Sequence, residues 1–367
     1  MKKLATIKNN IKFSAILYVF AIIGIAFLIN GCNKSKDTAQ NTLANTEALK
    51  KAAAARVPLI QHEPITSVMT IANMRTTADG STTRVMFVQN QQVFTVTNAT
   101  DIAALKSAFS NNQAVQVTFD PWGAVASQVS VASEADQAYF KAKETVTTPG
   151  TILRIDASTT DDMINHTADM GVINTTTPGL TGVIPDMATA QLMFDFISHQ
   201  CCALPGPYAV SYCITFQYCP DGCYARASKM VEIINNDYHY KTQKVFSFAN
   251  AGSDELCVQA LKWGGCCINW WYHVAPLVTI NTSKGPKAYV MDPAMFDQPV
   301  PLATWLHFQT NPACVPGGDV PHVSMINIQP NSSYEPSTGS GYSFNTDPGD
   351  VHADGTLTSY RNLISCP

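Results

Sequence analysis

The placement of cysteine constrains this chain more than any local propensity does. None lies between Cys32 and Cys201, whereas the last 167 of the 367 residues hold ten: Cys201, Cys202, Cys213, Cys219, Cys223, Cys257, Cys266, Cys267, Cys314 and Cys366. Two halves with different means of stabilisation are therefore joined in one polypeptide. Disulfides persist only in oxidising compartments and each adds roughly 2–4 kcal/mol, so the C-terminal half is expected to be a bridged domain that works outside the cytoplasm. The connectivity does not follow from sequence. If one of the ten stays a reactive thiol, nine remain and at least one more stays unbridged.

The N-terminus agrees with export. Lys2, Lys3, Lys8 and Lys12 precede an apolar run over residues 13–29 that ends at Asn30-Gly31-Cys32, the positive, apolar, small, cysteine order of an export signal. It is similar to a bacterial lipoprotein signal, in which the cysteine is acylated. Residues 1–32 are thus expected to be a lipoprotein signal peptide, with a lipid on Cys32 anchoring the precursor to the cell-envelope membrane; the alternative is an uncleaved signal anchor. Residues 33–60 are polar and alanine-rich and read as a tether. A net charge of -4 and a pI near 6.0, with no run of like charge, exclude a basic footprint for nucleic acid and a polybasic membrane patch.

Residues 61–145 read as a small α+β domain. Strands are expected over 65–72 and over 84–97, the latter broken by a polar turn at Gln89-Asn90-Gln91-Gln92. A helix over 101–109 places Ile102, Leu105 and Phe109 on one face, a strand follows over 114–119, and a helix over 133–143 closes the unit. Residues 146–182, rich in Thr, Gly, Pro and Asp, read as a linker. Residues 183–367 form the cysteine-rich domain.

The chemistry-bearing residues lie in that last domain. Cys223 follows the turn signal Pro220-Asp221-Gly222 and opens a run in which Tyr224, Ala227, Val231 and Ile234 share a helical face. A thiol at a helix N-terminus meets unpaired N–H groups and the positive end of the macrodipole, which lower its pKa. Most cysteines in so dense a domain are bridges, so position alone does not assign it. His273 interrupts an apolar, aromatic strand over 268–280, and a return strand over 288–291 ends at Asp292-Pro293. If the turn centres between Thr282 and Ser283, His273 opposes Asp292 at a Cβ separation of about 4.5–5.5 Å; a slip of one residue puts them on opposite faces. A lone histidine in an apolar strand is ordinarily a core residue. His322 is a second imidazole in an apolar run, without an acid at a comparable distance, and His239, between two tyrosines, reads as structural. Trp263, Trp270 and Trp271 fit a core beside a hairpin better than a substrate groove. Cys257 and Cys266-Cys267 lack the paired Cys-x-x-Cys spacing of zinc sites, so no metal and no cofactor is expected.

These motifs carry a resemblance. Cys-Ile-Thr-Phe-Gln-Tyr at 213–218, Asp-Gly-Cys-Tyr-Ala-Arg-Ala at 221–227 with Lys229-Met230, Cys-Cys-Ile-Asn-Trp at 266–270, Tyr272-His273-Val274 and Asp292-Pro293 resemble, in order and spacing, the bacterial protein-glutaminase family. Val183-Ile184-Pro185-Asp186 resembles the start of the mature enzyme. The resemblance implies a papain- or transglutaminase-like α+β catalytic domain with a catalytic triad Cys223, His273 and Asp292, hydrolysing exposed glutamine side chains of proteins to glutamate through a cysteine thioester. Because it begins only near Leu180, the cysteine-free domain before it is expected to be an inhibitory intramolecular propeptide that covers Cys223, with Gln89–Gln92 or Gln113-Ala114 as candidate pseudo-substrates. Cleavage between Thr145 and Gly182 would leave the lipid on the propeptide and release the enzyme. A cysteine peptidase, a transglutaminase-type acyl transferase and a non-catalytic, disulfide-rich surface lipoprotein are the alternatives.

Overall fold

Period-two burial builds the N-terminal strands: in the strand Ala114–Asp120, Val115, Val117 and Phe119 are buried while Gln116 is exposed. The computed structural model describes residues 64–142, 145–146, 150–173, 179–202, 212–250, 254–314 and 321–366, all within one unit spanning Ala52–Pro367. The expected signal peptide, Cys32 and the tether lie outside the described residues.

Strands β1 (Ile65–Thr76), β2 (Thr83–Phe87) and β3 (Asn90–Val96) are followed by helix α1 (Ala99–Ser110), β4 (Ala114–Asp120), β5 (Val125–Val131) and helix α2 (Glu134–Ala142). Asn98 caps α1 by accepting from the N–H groups of Thr100 and Asp101, as a short polar side chain does at this position. Asp101 in turn accepts from the N–H groups of Gln128 and Val129, which ties α1 to β5. The order β2-β1-β4-β5-β3, with β3 pairing back to β2, closes five strands around Val85, Phe87, Phe94, Val115, Val117 and Phe119. Strand β5 was not expected from sequence, because it buries only Ala126 and Val129 and leaves no clear alternation.

The stretch 145–182, read as a linker, contains β6 (Thr145–Val146), β7 (Thr151–Arg154) and helix α3 (Asp161–Ile173). Its composition hides these elements, since their stability comes from partners distant in sequence. Asp169 accepts from the Ala288 N–H at 2.8 Å and pairs with Lys287 at 2.7 Å, Asn165 accepts from the Ala303 N–H, and Ile164 and Ala168 enter the main core.

Helices α4 (Met187–Ser198) and α5 (Cys223–Asn236) precede strands β8 (Gln243–Phe248), β9 (Leu256–Gln259), β10 (Cys267–Trp270), β11 (Tyr272–Thr282) and β12 (Gly285–Val290). Then come β13 (Val300–Pro301), α6 (Leu302–His307), β14 (Met325–Pro330), β15 (Ser333–Pro336), β16 (Phe344–Thr346) and α7 (Val351–Tyr360). A six-stranded antiparallel sheet runs β13-β12-β11-β8-β14-β7, with α5 packed on β11. Central β8 is buried at every position, as expected of a strand covered on both faces. The fold is α+β, and disulfides join Cys202 to Cys213, Cys266 to Cys366 and Cys267 to Cys314.

The apolar strand expected over 268–280 is divided at Trp271. β11 stays in the six-stranded sheet, whereas β10 leaves it and pairs with β9 and, through Trp270 opposite Gln92, with β3. The N-terminal strands and the β9–β10 ribbon thus make one sheet, and Met86 and Val93 of the N-terminal unit join the core of the C-terminal domain.

Candidate active site

Gly222 places Cys223 at the first turn of α5. Its φ of 87° is left-handed, and a Cβ there would stand 3.2 Å from the Tyr360 ring, so only glycine enters the helix at this point without strain. The preceding loop is fixed from two sides. Buried Arg226 donates through Nη1 to the carbonyls of Tyr218 and Asp221, both at 2.7 Å. Ser365 accepts from the Cys219 N–H at 2.7 Å and donates to the Gln217 carbonyl at 2.8 Å, while the neighbouring Cys366 is bridged to Cys266.

His273 sits on β11 opposite Ser247 of β8. The β11–β12 register pairs Thr282 with Gly285 and Leu277 with Val290, so the turn centres between Ser283 and Lys284 and not between Thr282 and Ser283. A slip of two residues keeps every side chain on its face, but Asp292 then lies beyond the ladder and not directly opposite His273. It reaches the imidazole from the chain leaving β12: His273 Nε2 is 2.8 Å from Asp292 Oδ2, and that oxygen also accepts the Trp305 indole N–H at 2.9 Å. The imidazole lies between two stacked indoles, Trp270 at 4.4 Å and Trp305 at 5.2 Å between ring centroids. An ionised carboxylate only accepts, so the Nε2 position carries the proton and Nδ1 is left as the basic nitrogen.

Trp305 was missed from sequence, because a tryptophan in a six-residue helix 32 residues after His273 carries no local signal. Trp270, read as core, is core and also the imidazole's stacking partner. Trp263 donates to the Ala294 carbonyl. His322 precedes β14, its N–H on the Glu255 carbonyl, away from this hairpin, and His239 occupies a left-handed turn position at φ 58°.

Every member of the site is buried. Cys223, His273 and Asp292 are 1%, 1% and 3% exposed. Burial pushes the Cys223 thiol well above its ordinary range against the opposing charge of Arg226 and the Val274 N–H on its sulfur. Burial likewise lowers the His273 imidazole against the pull of Asp292. Loss of hydration outweighs the helix N-terminus here, and the covered site holds a thiol and a neutral imidazole.

The cover is the β2–β3 turn together with the start of β3. Gln91, fully buried, accepts through Oε1 from the Cys223 N–H at 3.0 Å and donates through Nε2 to the Cys219 carbonyl at 3.4 Å. Its own N–H donates to Asp221 Oδ1 and its carbonyl accepts the Trp271 N–H, both at 3.0 Å. The Trp271 indole donates to the carbonyls of Phe87 and Asn90, and Tyr224 to that of Gln89. Farther out, the fully buried Glu255 accepts from Arg75 of β1 and Arg84 of β2. Gln113 lies instead at the α1–β4 turn, with its N–H on Ala108.

The glutaminase family model matches residues 190–309, a span containing Cys223, His273 and Asp292. Among solved structures, pro-protein-glutaminase is 26% identical, covering 83% of this chain and 95% of its own with a TM-score of 0.58, and a mutant of pro-protein-glutaminase gives the same identity and coverage with a TM-score of 0.59. The protein-glutaminase from Chryseobacterium proteolyticum is 32% identical, covering 51% of this chain and 93% of its own with a TM-score of 0.42. No curated protein matches the chain. A match to the pro-form that runs well beyond the cysteine-rich half takes in the N-terminal strands as well, and the chain belongs to the protein-glutaminase family as a precursor, with a prodomain ahead of its catalytic domain.

Proposed function

We propose that the chain is the inhibited precursor of a protein-glutamine deamidase in which Cys223 is the nucleophile, His273 the general acid and base, and Asp292 the group that orients the imidazole. The observation that carries this reading is a carboxamide in the position of a substrate: the Gln91 side-chain oxygen on the Cys223 N–H, beside the His273–Asp292 pair. A backbone N–H aimed at a carbonyl oxygen stabilises the charge that develops there on attack.

Once the prodomain leaves, water returns to Cys223 and His273, and the helix N-terminus favours the thiolate. The sulfur attacks the γ-carboxamide carbon of a glutamine on a protein substrate. Ammonia leaves with a proton from His273, and the thioester is hydrolysed to glutamate by water that His273 activates. Asp221 and the Trp271 N–H, which now hold the Gln91 backbone on either side, would hold the backbone of a substrate glutamine in the same way. Domain limits at 61–145, 146–182 and 183–367, acylation of Cys32, and release of the enzyme by cleavage between Thr145 and Gly182 belong to the same proposal.

Ammonia release from a glutamine-containing protein, measured on protease-trimmed enzyme, tests the reading. The intact precursor should be silent, the trimmed enzyme active, and trimmed Cys223→Ala at background. A Cys223→Ala enzyme that deamidates at the native rate would end the assignment.

A further inference from the structure

The carboxamide that occupies the nucleophile belongs to the chain itself. A plug needs only to fill space, and an apolar side chain would do so without bringing a polar group into a dry site. Gln91 instead presents a reactive amide with both of its polar atoms bonded and its backbone held on both sides. Fixing a reacting group against its nucleophile within one chain replaces encounter by a high effective concentration.

We propose that Gln91 is a modification site: the precursor deamidates its own prodomain, converting the Gln91 side chain to that of glutamate, and thereby loosens the cover over Cys223. The inference rests on the deamidase reading above. Cys223 Sγ bonds to the Gln91 carboxamide carbon as the thiol proton passes to His273 Nδ1, a buried nitrogen with no hydrogen-bond partner of its own. The carbon–nitrogen bond breaks, and the nitrogen leaves as ammonia with that proton. Water admitted by transient opening adds to the thioester carbon, its proton returns the sulfur to a thiol, and a glutamate side chain remains at position 91. The reaction starts from a buried thiol and a neutral imidazole, so it is slow, a single conversion per chain that accumulates with the age of the precursor.

The product fits worse than the reactant. A carboxylate at position 91 no longer donates to the Cys219 carbonyl, and it brings negative charge into the buried loop that holds the Asp221 carboxyl. A buried charge without a partner favours the open form, in which water reaches it.

Full-length precursor kept at neutral pH in water enriched in heavy oxygen, and read by mass spectrometry of the peptide containing residue 91, tests this. The amide at 91 should be replaced with time by an acid carrying heavy oxygen, while Gln89 and Gln92 stay amides and Cys223→Ala shows no conversion. An amide retained at 91 in aged precursor, when trimmed enzyme from the same preparation releases ammonia from a protein substrate, overturns the inference and leaves the deamidase reading standing. A trimmed enzyme that releases no ammonia overturns both. The Gln91→Glu precursor should expose Cys223 to iodoacetamide faster than native precursor freshly made, and an equal rate would refute the loosening.

Discussion

Removing one guanidinium at the seam should open the precursor without harming the enzyme. Glu255 is a fully buried carboxylate of the catalytic domain whose two charged partners both come from the prodomain. Arg84 supplies two of the three contacts, Nε at 2.9 Å and Nη2 at 2.5 Å, and Arg75 the third at 2.6 Å. In Arg84→Ala the carboxylate keeps Arg75 but is left under-bonded for as long as the prodomain covers it. Once the prodomain lifts, water satisfies it in native and variant alike, so the loss falls on closure alone. A charge-assisted hydrogen bond contributes about 1.5–3 kcal/mol and loss of one partner of a buried ion pair costs about 3–5 kcal/mol. With Arg75 in place and both arginines partly exposed, about 2–3 kcal/mol is the appropriate figure, a rise of roughly 30- to 150-fold in the open population. Where opening is fast compared with modification, the rate of alkylation at Cys223 follows that population. Iodoacetamide labelling of Cys223 in full-length precursor, read by mass spectrometry, should accelerate by that factor while the trimmed enzyme keeps its native kcat. Labelling at the native rate would show that the arginines do not hold the cover closed.

Three more outcomes follow from the same contacts. Trp305→Phe keeps a ring against His273 but removes the N–H that holds Asp292 Oδ2, so kcat of the trimmed enzyme should fall about tenfold, the equivalent of one hydrogen bond, with KM little changed. Cys366→Ser opens a bridge between residues 100 apart, and thermal or urea unfolding should show a loss of about 3–5 kcal/mol, with ammonia release retained by the folded fraction. Burial raises the Asp221 carboxyl to about 6, so the folded precursor favours its protonated form; that stabilisation is full below the ordinary carboxylate range and is lost as pH rises through about 6, about 3 kcal/mol for such a shift. The Tm of the Cys223→Ala precursor should therefore fall more steeply over that window than that of the Cys223→Ala, Asp221→Asn double variant, and parallel curves would refute the assignment.

The bridged half and the start of the Cys223 helix were legible in one dimension. The cysteine asymmetry marks a bridged half, the Gly222-Cys223 turn opens a helix because glycine takes the left-handed backbone angle at no steric cost, and the polar break beginning at Gln89 marks the hairpin between β2 and β3. The last two of these signals depend on neighbours within a few residues. His273 and Asp292 were also named, yet their contact was derived from a register that the hairpin does not have. A two-residue slip preserves the face, which is why the pair survives the error, and it is the chain beyond β12 that carries Asp292 to the imidazole.

Tertiary structure alone decided the rest, because each remaining feature joins partners far apart in sequence. Helix α3 and strand β7 gain their stability from Lys287, Ala288, Ala303 and β14, so a stretch with weak local periodicity still forms regular elements. The three disulfides follow from which cysteines the folded chain brings together, a matter of loop closure that spacing does not encode. Trp305 reaches Asp292 only through the packing of α6. The helix N-terminus at Cys223 predicts a depressed thiol pKa, but burial of the site, where Gln91 from about 130 residues earlier accepts from the Cys223 N–H, pushes the thiol up instead. Which of several glutamines meets the Cys223 N–H is likewise settled by β3 adding to the edge of β10, a pairing made of backbone hydrogen bonds that no side-chain pattern announces.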